Sequence, residues 1–203
     1  MRLFGVIYAI IYLLFLAVMF LLPLFSFQGY SIIENSVSEL GSQNAPGNWI
    51  ANSVIILLGT ATFFLGIKTL KTNVLQNIGL FFFCFSFILT GIFEMAGPFY
   101  KIYNYNYTQD AFHSMFSSIT GFAFCLFCLL FLLVLKETND KIKTILMFLL
   151  ALVSSYLMLE FPEYKGLTQR ILFIGAFSWL FYALIDFKRK EKLLDLQKER
   201  RLY

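Results

Sequence analysis

Glu39, Glu94, Asp110, His113 and Arg170 each stand within a few residues of a long apolar run, where an ionisable group is costly and is more often kept for a purpose. His113 is the single histidine of the chain, and near neutral pH it can take or give a proton. Arg170 does not lose its charge, and its planar fork suits a phosphate or a carboxylate. Glu39 suits an amine or a hydroxyl. Asp110 and His113 are three apart, so on a helix they share a face. Ser114, Ser117, Ser118 and Gly121 continue a strip of small residues beneath them. The chemistry these residues would support is the holding of a lipid headgroup. Glu39, Glu94, Asp110, His113 and Arg170 are the candidate ligand-binding residues, and His113 and Glu39 the candidates for acid–base catalysis.

Each has a plainer role open to it. Asp110 also fits as a helix N-terminal cap, and the small residues as close-packing contacts between helices. Glu163 and Lys165 read as solvated loop charges. The tyrosines of "FYKIYNYNY" read as an interfacial belt, and Trp179 as packing. One histidine excludes a three-histidine zinc site, leaving only a mixed carboxylate–histidine set, and no resident metal or cofactor is expected. No G-x-S-x-G elbow is present, although Ser38 or Ser114 could serve a hydrolase or acyltransferase as nucleophile. Cys84, Cys125 and Cys128 lie inside apolar runs and read as free thiols.

The elements that must position these groups are membrane helices. Of the 203 residues 59% are hydrophobic and 14% charged, where a soluble domain carries about 25% charged. No Asp, Glu, Lys or Arg occurs across Leu3 to Ile33, Leu40 to Ile67, Thr72 to Phe93 or His113 to Leu135, and shorter gaps follow at Thr144 to Leu159 and Ile171 to Ile185. About 20 apolar residues span a bilayer as a helix. The expected fold is therefore an all-α polytopic membrane protein, with six helices at roughly 4–26, 49–67, 74–97, 110–135, 143–161 and 169–187. They form an antiparallel bundle over residues 1–187, followed by a basic tail at 188–203. The first apolar run is too long for a signal peptide and reads as a retained helix. Helices five and six look short for a bilayer, which would hold Arg170 near hydrocarbon depth and in need of a partner.

Six spans put both termini on one side. With that side in the cytoplasm, only Lys101, Lys165 and Arg170 of the 16 basic residues face outward, a positive-inside pattern. The net charge of +4 is thus spent on topology, and no basic face for nucleic acid is expected. The five candidates then gather on the outer side, under "SVSELGSQNAPGNW" at 36–49. That segment reads as a lid that lowers Glu39 towards Arg170 or His113, with Gly41 supplying backbone freedom and Pro46-Gly47 turning the chain into helix two. No charge lies at the middle of any span and no inverted repeat is visible, which counts against a small-solute transporter. A non-catalytic scaffold, its polar cluster only setting helix register, stays open. The Lys, Asn, Ile and Phe usage suggests a prokaryotic plasma membrane.

"SVSELG" after the first helix, "GIFE" closing the third, His113 opening the fourth, and "GLTQR" leading into a helix with Trp179 resemble the six-helix membrane family called domain of unknown function 998. The resemblance covers nearly the whole chain. It departs from the family pattern at Glu94, where a proline is expected, and at Gln169, where an acid is frequent. It implies six transmembrane helices and no assigned activity. More distantly the chain is similar to FRAG/DRAM/SFK-type membrane proteins, some linked to lipid remodelling, which implies membrane lipids as partners.

Overall fold

The computed structural model describes residues 2–97 and 105–200. Among them are six helices long and apolar enough to cross a membrane, and no strand. They are α1 (Arg2–Leu21), α2 (Asn48–Leu70), α3 (Val74–Ile92), α4 (Tyr107–Leu132), α5 (Thr138–Glu160) and α6 (Lys165–Arg200). Short 3-10 turns lie at Leu22–Phe25, Val37–Gly41 and Pro162–Tyr164. Consecutive helices pack side by side, α6 returns to α1, and α6 also packs on α2. Below, "distal" means the end of the bundle away from the chain's two ends.

Helix boundaries differ from the sequence expectation for local reasons. α1 gives way to a 3-10 turn because Pro23 lacks an N–H and its ring crowds the preceding turn. α3 ends at Ile92 rather than 97, since Glu94, Met95 and Ala96 leave the helix to bond with α4 and the loop before α2. α5 and α6 are not short. Charged residues such as Asp140, Lys143, Lys165 and Arg170 sit inside the helices, giving 23 and 36 residues, so a run of uncharged residues underestimated both. At 1.5 Å per residue α5 is about 34 Å long, enough for a bilayer.

Lipid tails give helices no hydrophobic reason to associate, so packing and buried polar bonds must do it. The core is largely aromatic. The Phe177 ring meets those of Phe15, Phe83 and Phe87 at centroid distances of 5.7, 6.1 and 5.2 Å. Phe177 also accepts, through its carbonyl, a 2.7 Å hydrogen bond from the buried Tyr8 hydroxyl. Near the chain ends, Lys190 on α6 meets Glu137, Asp140 and Asp186 at 2.8, 2.5 and 2.7 Å, fastening the α6 extension to the start of α5.

Candidate functional site

Arg170 is 1% exposed and its guanidinium is enclosed by the chain's own backbone. Nε donates to Met19 O at 3.2 Å, and Nη1 faces Ile32 O, Asn35 O and Gly166 O at 2.8, 2.9 and 3.0 Å. Nη2 donates to the Tyr30 hydroxyl at 2.7 Å. A permanent charge is thereby held by carbonyl dipoles and not by a carboxylate. Tyr30 passes the contact on, donating to Ser36 O at 2.8 Å. Burial pushes its phenol above the ordinary value, and Arg170 opposes that shift. Gly166 makes the enclosure possible. A Cβ there would lie 2.3 Å from Asn35 O and 2.6 Å from Ile32 O, both backbone atoms.

Glu39 does not meet Arg170 or His113, contrary to the expectation from the sequence. Its Oε1 is 2.5 Å from Lys165 Nζ, and its Oε2 accepts from Asn35 Nδ2 at 2.5 Å. Lys165 is therefore not a free loop charge; it is the residue at the start of α6 that meets Glu39. Glu39 and Arg170 share Asn35, whose amide serves one and whose carbonyl serves the other. The 3-10 turn is fastened again by Val37 N–H, which donates to Gln169 Oε1 at 2.6 Å. Gly41 is needed for close approach rather than for backbone freedom. Its φ is not positive, and a Cβ would sit 2.0 Å from Asn52 Oδ1, while Asn52 Nδ2 donates to Gly41 O at 3.0 Å. The left-handed residues of this segment are Asn44, with φ 63°, and Gly47, with φ 74° at the entry to α2.

The other three candidates form a second cluster between α3 and α4. His113 is buried and its Nδ1 faces Thr90 O and Phe93 O at 3.0 and 2.8 Å. Both partners only accept, so Nδ1 carries the proton. These are carbonyls at the end of α3 that the helix itself leaves unpaired. Asp110 accepts from Ala96 N at 2.6 Å and from the Tyr105 hydroxyl at 2.5 Å. Glu94 accepts from Asn48 Nδ2 at 2.9 Å, and burial raises its pKa above the ordinary carboxylate value. Gln43 joins this cluster to the loop: its amide bonds Glu94 O, Asn106 O and Asn106 N at 3.1, 3.0 and 2.9 Å. Among the described residues no hydroxyl or carboxylate hydrogen-bonds the His113 ring, so no nucleophile–base pair is assembled.

Beneath this polar cap lies a cavity of about 190 Å³. Ser38 from the 3-10 turn, Thr90 of α3, Ser117 of α4 and Gln169 of α6 line its distal end. Phe83, Phe124 and Phe177 line it nearer the middle of the bundle. Its lining residues Ser117 and Gly121 on α4 and Ser155 on α5 are exposed, and a Cβ on Gly121 would meet nothing within 4 Å. The cavity thus opens sideways between α4 and α5. None of the five ionisable candidates lines it.

A family described as "Protein of unknown function (DUF998)" matches residues 9–186. The chain belongs to the DUF998 family. No curated protein and no solved structure matches it.

In this DUF998 protein the sequence candidates are brought to one end but divided into two clusters. Residues absent from the candidate set hold them together: Asn35, Gln43 and Lys165 in the cap, and Gln169 between cap and cavity. Gln43 was legible as a polar residue inside a loop rich in Ser, Asn and Gly. Lys165 carried a signal too, as one of only three basic residues assigned to the distal side.

Proposed function

We propose that this DUF998 protein binds a membrane lipid in the distal half of its bundle, taking it from the bilayer through the gap between α4 and α5. In this reading it is a multi-pass protein of a plasma membrane with both termini cytoplasmic, so the distal end faces outward. That orientation rests on the charge asymmetry of the loops. One observation carries the reading: a cavity open sideways at Ser117, Gly121 and Ser155, with hydroxyl and amide groups at one end and phenyl rings at the other. That polarity matches a lipid standing parallel to the helices, head distal and chain towards the middle. The ionisable cluster serves as the roof. Arg170 offers no phosphate site in this arrangement, because backbone carbonyls and Tyr30 already surround it.

The commitment of all five ionisable residues to bonds within the chain also favours a second reading, a scaffold whose cap only fixes helix register. Native mass spectrometry of the protein released from a mild detergent separates the two. Lipid binding predicts a retained lipid in the wild type and its loss in Ala176→Phe, where a ring would fill the cavity wall. No retained lipid, or equal retention in both, would leave the scaffold reading.

A further inference from the structure

Three polar groups on the cavity wall make no hydrogen bond among the described residues: Ser38 Oγ, Ser117 Oγ and Gln169 Nε2. The other hydroxyls there are occupied. Thr90 donates to Phe87 O at 2.7 Å, Thr120 faces Phe116 O at 2.8 Å, and Ser155 donates to Ala151 O at 2.9 Å. The Gln169 amide is oriented unambiguously. Val37 N–H can only donate, so the atom it meets is the oxygen and the NH2 is left facing elsewhere. At membrane depth such groups need a partner, and water is scarce.

We infer that the ligand of this cavity is a single-chain amphiphile with an uncharged, oxygen-bearing head, such as a fatty or isoprenoid alcohol or a monoacylglycerol, its head oxygen accepting from Gln169 Nε2 and exchanging hydrogen bonds with Ser38 and Ser117. This rests on the lipid-binding reading above and narrows it to one chemical class. Charge decides the head. Among the described residues no Asp, Glu, Lys, Arg or His lines the cavity. The two cations nearest in sequence to Gln169 are committed, Lys165 to Glu39 and Arg170 to backbone carbonyls. A phosphate or carboxylate placed there would be desolvated without a counter-ion, whereas a hydroxyl or ester would not. Size decides the chain. An apolar cavity of about 150 Å³ takes one benzene, so about 190 Å³ encloses a short length of one chain and leaves no room inside for a second.

Trp179 reports on the site, since its ring meets that of Phe124 on the cavity wall at 5.9 Å. The chain has two tryptophans, so Trp49→Phe leaves Trp179 as the single emitter. The probes are dibromostearoyl monoglyceride and a phosphatidylglycerol carrying the same brominated chains, titrated into the protein in detergent micelles. Expected is saturable quenching by the monoglyceride and none by the phospholipid. Ala176→Phe should abolish it. Gln169→Glu keeps the acceptor for Val37 N–H but replaces the NH2 with an oxygen, and should weaken monoglyceride binding about tenfold. Ser117→Ala, at an exposed helix position, serves the same purpose should Gln169→Glu not fold, and should weaken binding severalfold. Equal quenching by the phospholipid, blocked by Ala176→Phe, would overturn this inference and leave the lipid-binding reading standing. Unchanged monoglyceride affinity in the folded polar variants would overturn it as well. Quenching that is unsaturable for both probes, or indifferent to Ala176→Phe, would overturn both.

Discussion

Gly166→Ala is the smallest change that should open the Arg170 enclosure. In the folded chain the new methyl would lie 2.3 Å from Asn35 O and 2.6 Å from Ile32 O. Neither oxygen sits on a flexible side chain, so the loop backbone must retreat by about 1 Å to restore ordinary contact. The same two oxygens accept from Arg170 Nη1 at 2.9 and 2.8 Å. A retreat of that size carries both beyond hydrogen-bond reach. Hydrogen bonds to a charged group contribute about 1.5–3 kcal/mol each, and overpacking costs about 1–3. Helix propensity works the other way, favouring Ala over Gly by about 1 kcal/mol in a helix interior and less at the second residue of α6. The net expected loss is about 2–4 kcal/mol after partial relaxation. Thermal unfolding in detergent measures it, for Gly166→Ala, Arg170→Met and the double variant. Once Arg170 is gone the loop has little left to lose, so the glycine substitution should cost much less in that background. A Gly166→Ala protein as stable as wild type, or a strictly additive double variant, would refute the reasoning.

Glu39→Gln and Lys165→Met should couple by only about 1 kcal/mol, because Lys165 is 37% exposed and the pair is screened; a double-mutant cycle giving about 3–5 would show a buried pair instead. Glu94→Gln retains an acceptor for Asn48 and removes a carboxylate whose pKa burial raises, so the folded state holds that proton more tightly than the unfolded chain. Wild type should therefore gain stability as pH falls through the raised value towards 4.5, and Glu94→Gln should be the more stable protein above that window and lose its advantage below it, read from melting temperature against pH. Cys84, Cys125 and Cys128 are free thiols within α3 and α4, and replacing all three with Ala should leave expression and the melting temperature nearly unchanged, apart from a packing loss at the buried Cys84 and Cys128.

Six helices were legible because charge is excluded from a bilayer wherever the chain crosses it, and the charge-free runs of this chain are long. The proximity of Asp110 to His113 followed from helical spacing; His113 meets carbonyls at the end of α3 and Asp110 meets Ala96 N–H just beyond it, while the N-cap of α4 is Asn106 and not Asp110. The place of Arg170 beside an apolar run signals a need for partners but not their identity. Side-chain chemistry points to a carboxylate, whereas the carbonyls of Met19, Ile32, Asn35 and Gly166 carry no residue-type signal. Gly41 and Gly166 are glycines for a reason that lies in tertiary contact, with Asn52 in one case and the loop at 32–35 in the other. The strip Ser114, Ser117, Ser118 and Gly121 reads in sequence as close packing sooner than as a site. In the fold all four are exposed, and Ser117 and Gly121 lie beside a cavity. Gln169 stands out in the sequence only as a departure from a family pattern, and which of its two amide atoms meets the Val37 N–H is set by the fold.

In the proposed reading the polar cap is a roof and the ligand lies beneath it, between α4 and α5. Cryo-electron microscopy of the full chain in lipid nanodiscs, with a bound antibody fragment as fiducial, tests it most directly. Expected is one elongated density entering beside Gly121, its distal end within hydrogen-bond reach of Gln169 Nε2 and its other end among Phe83, Phe124 and Phe177, with Arg170 still enclosed by the carbonyls of Ile32 and Asn35. Direct packing of α4 on α5 with no space between them, or a headgroup density seated on Arg170 or His113, would contradict it.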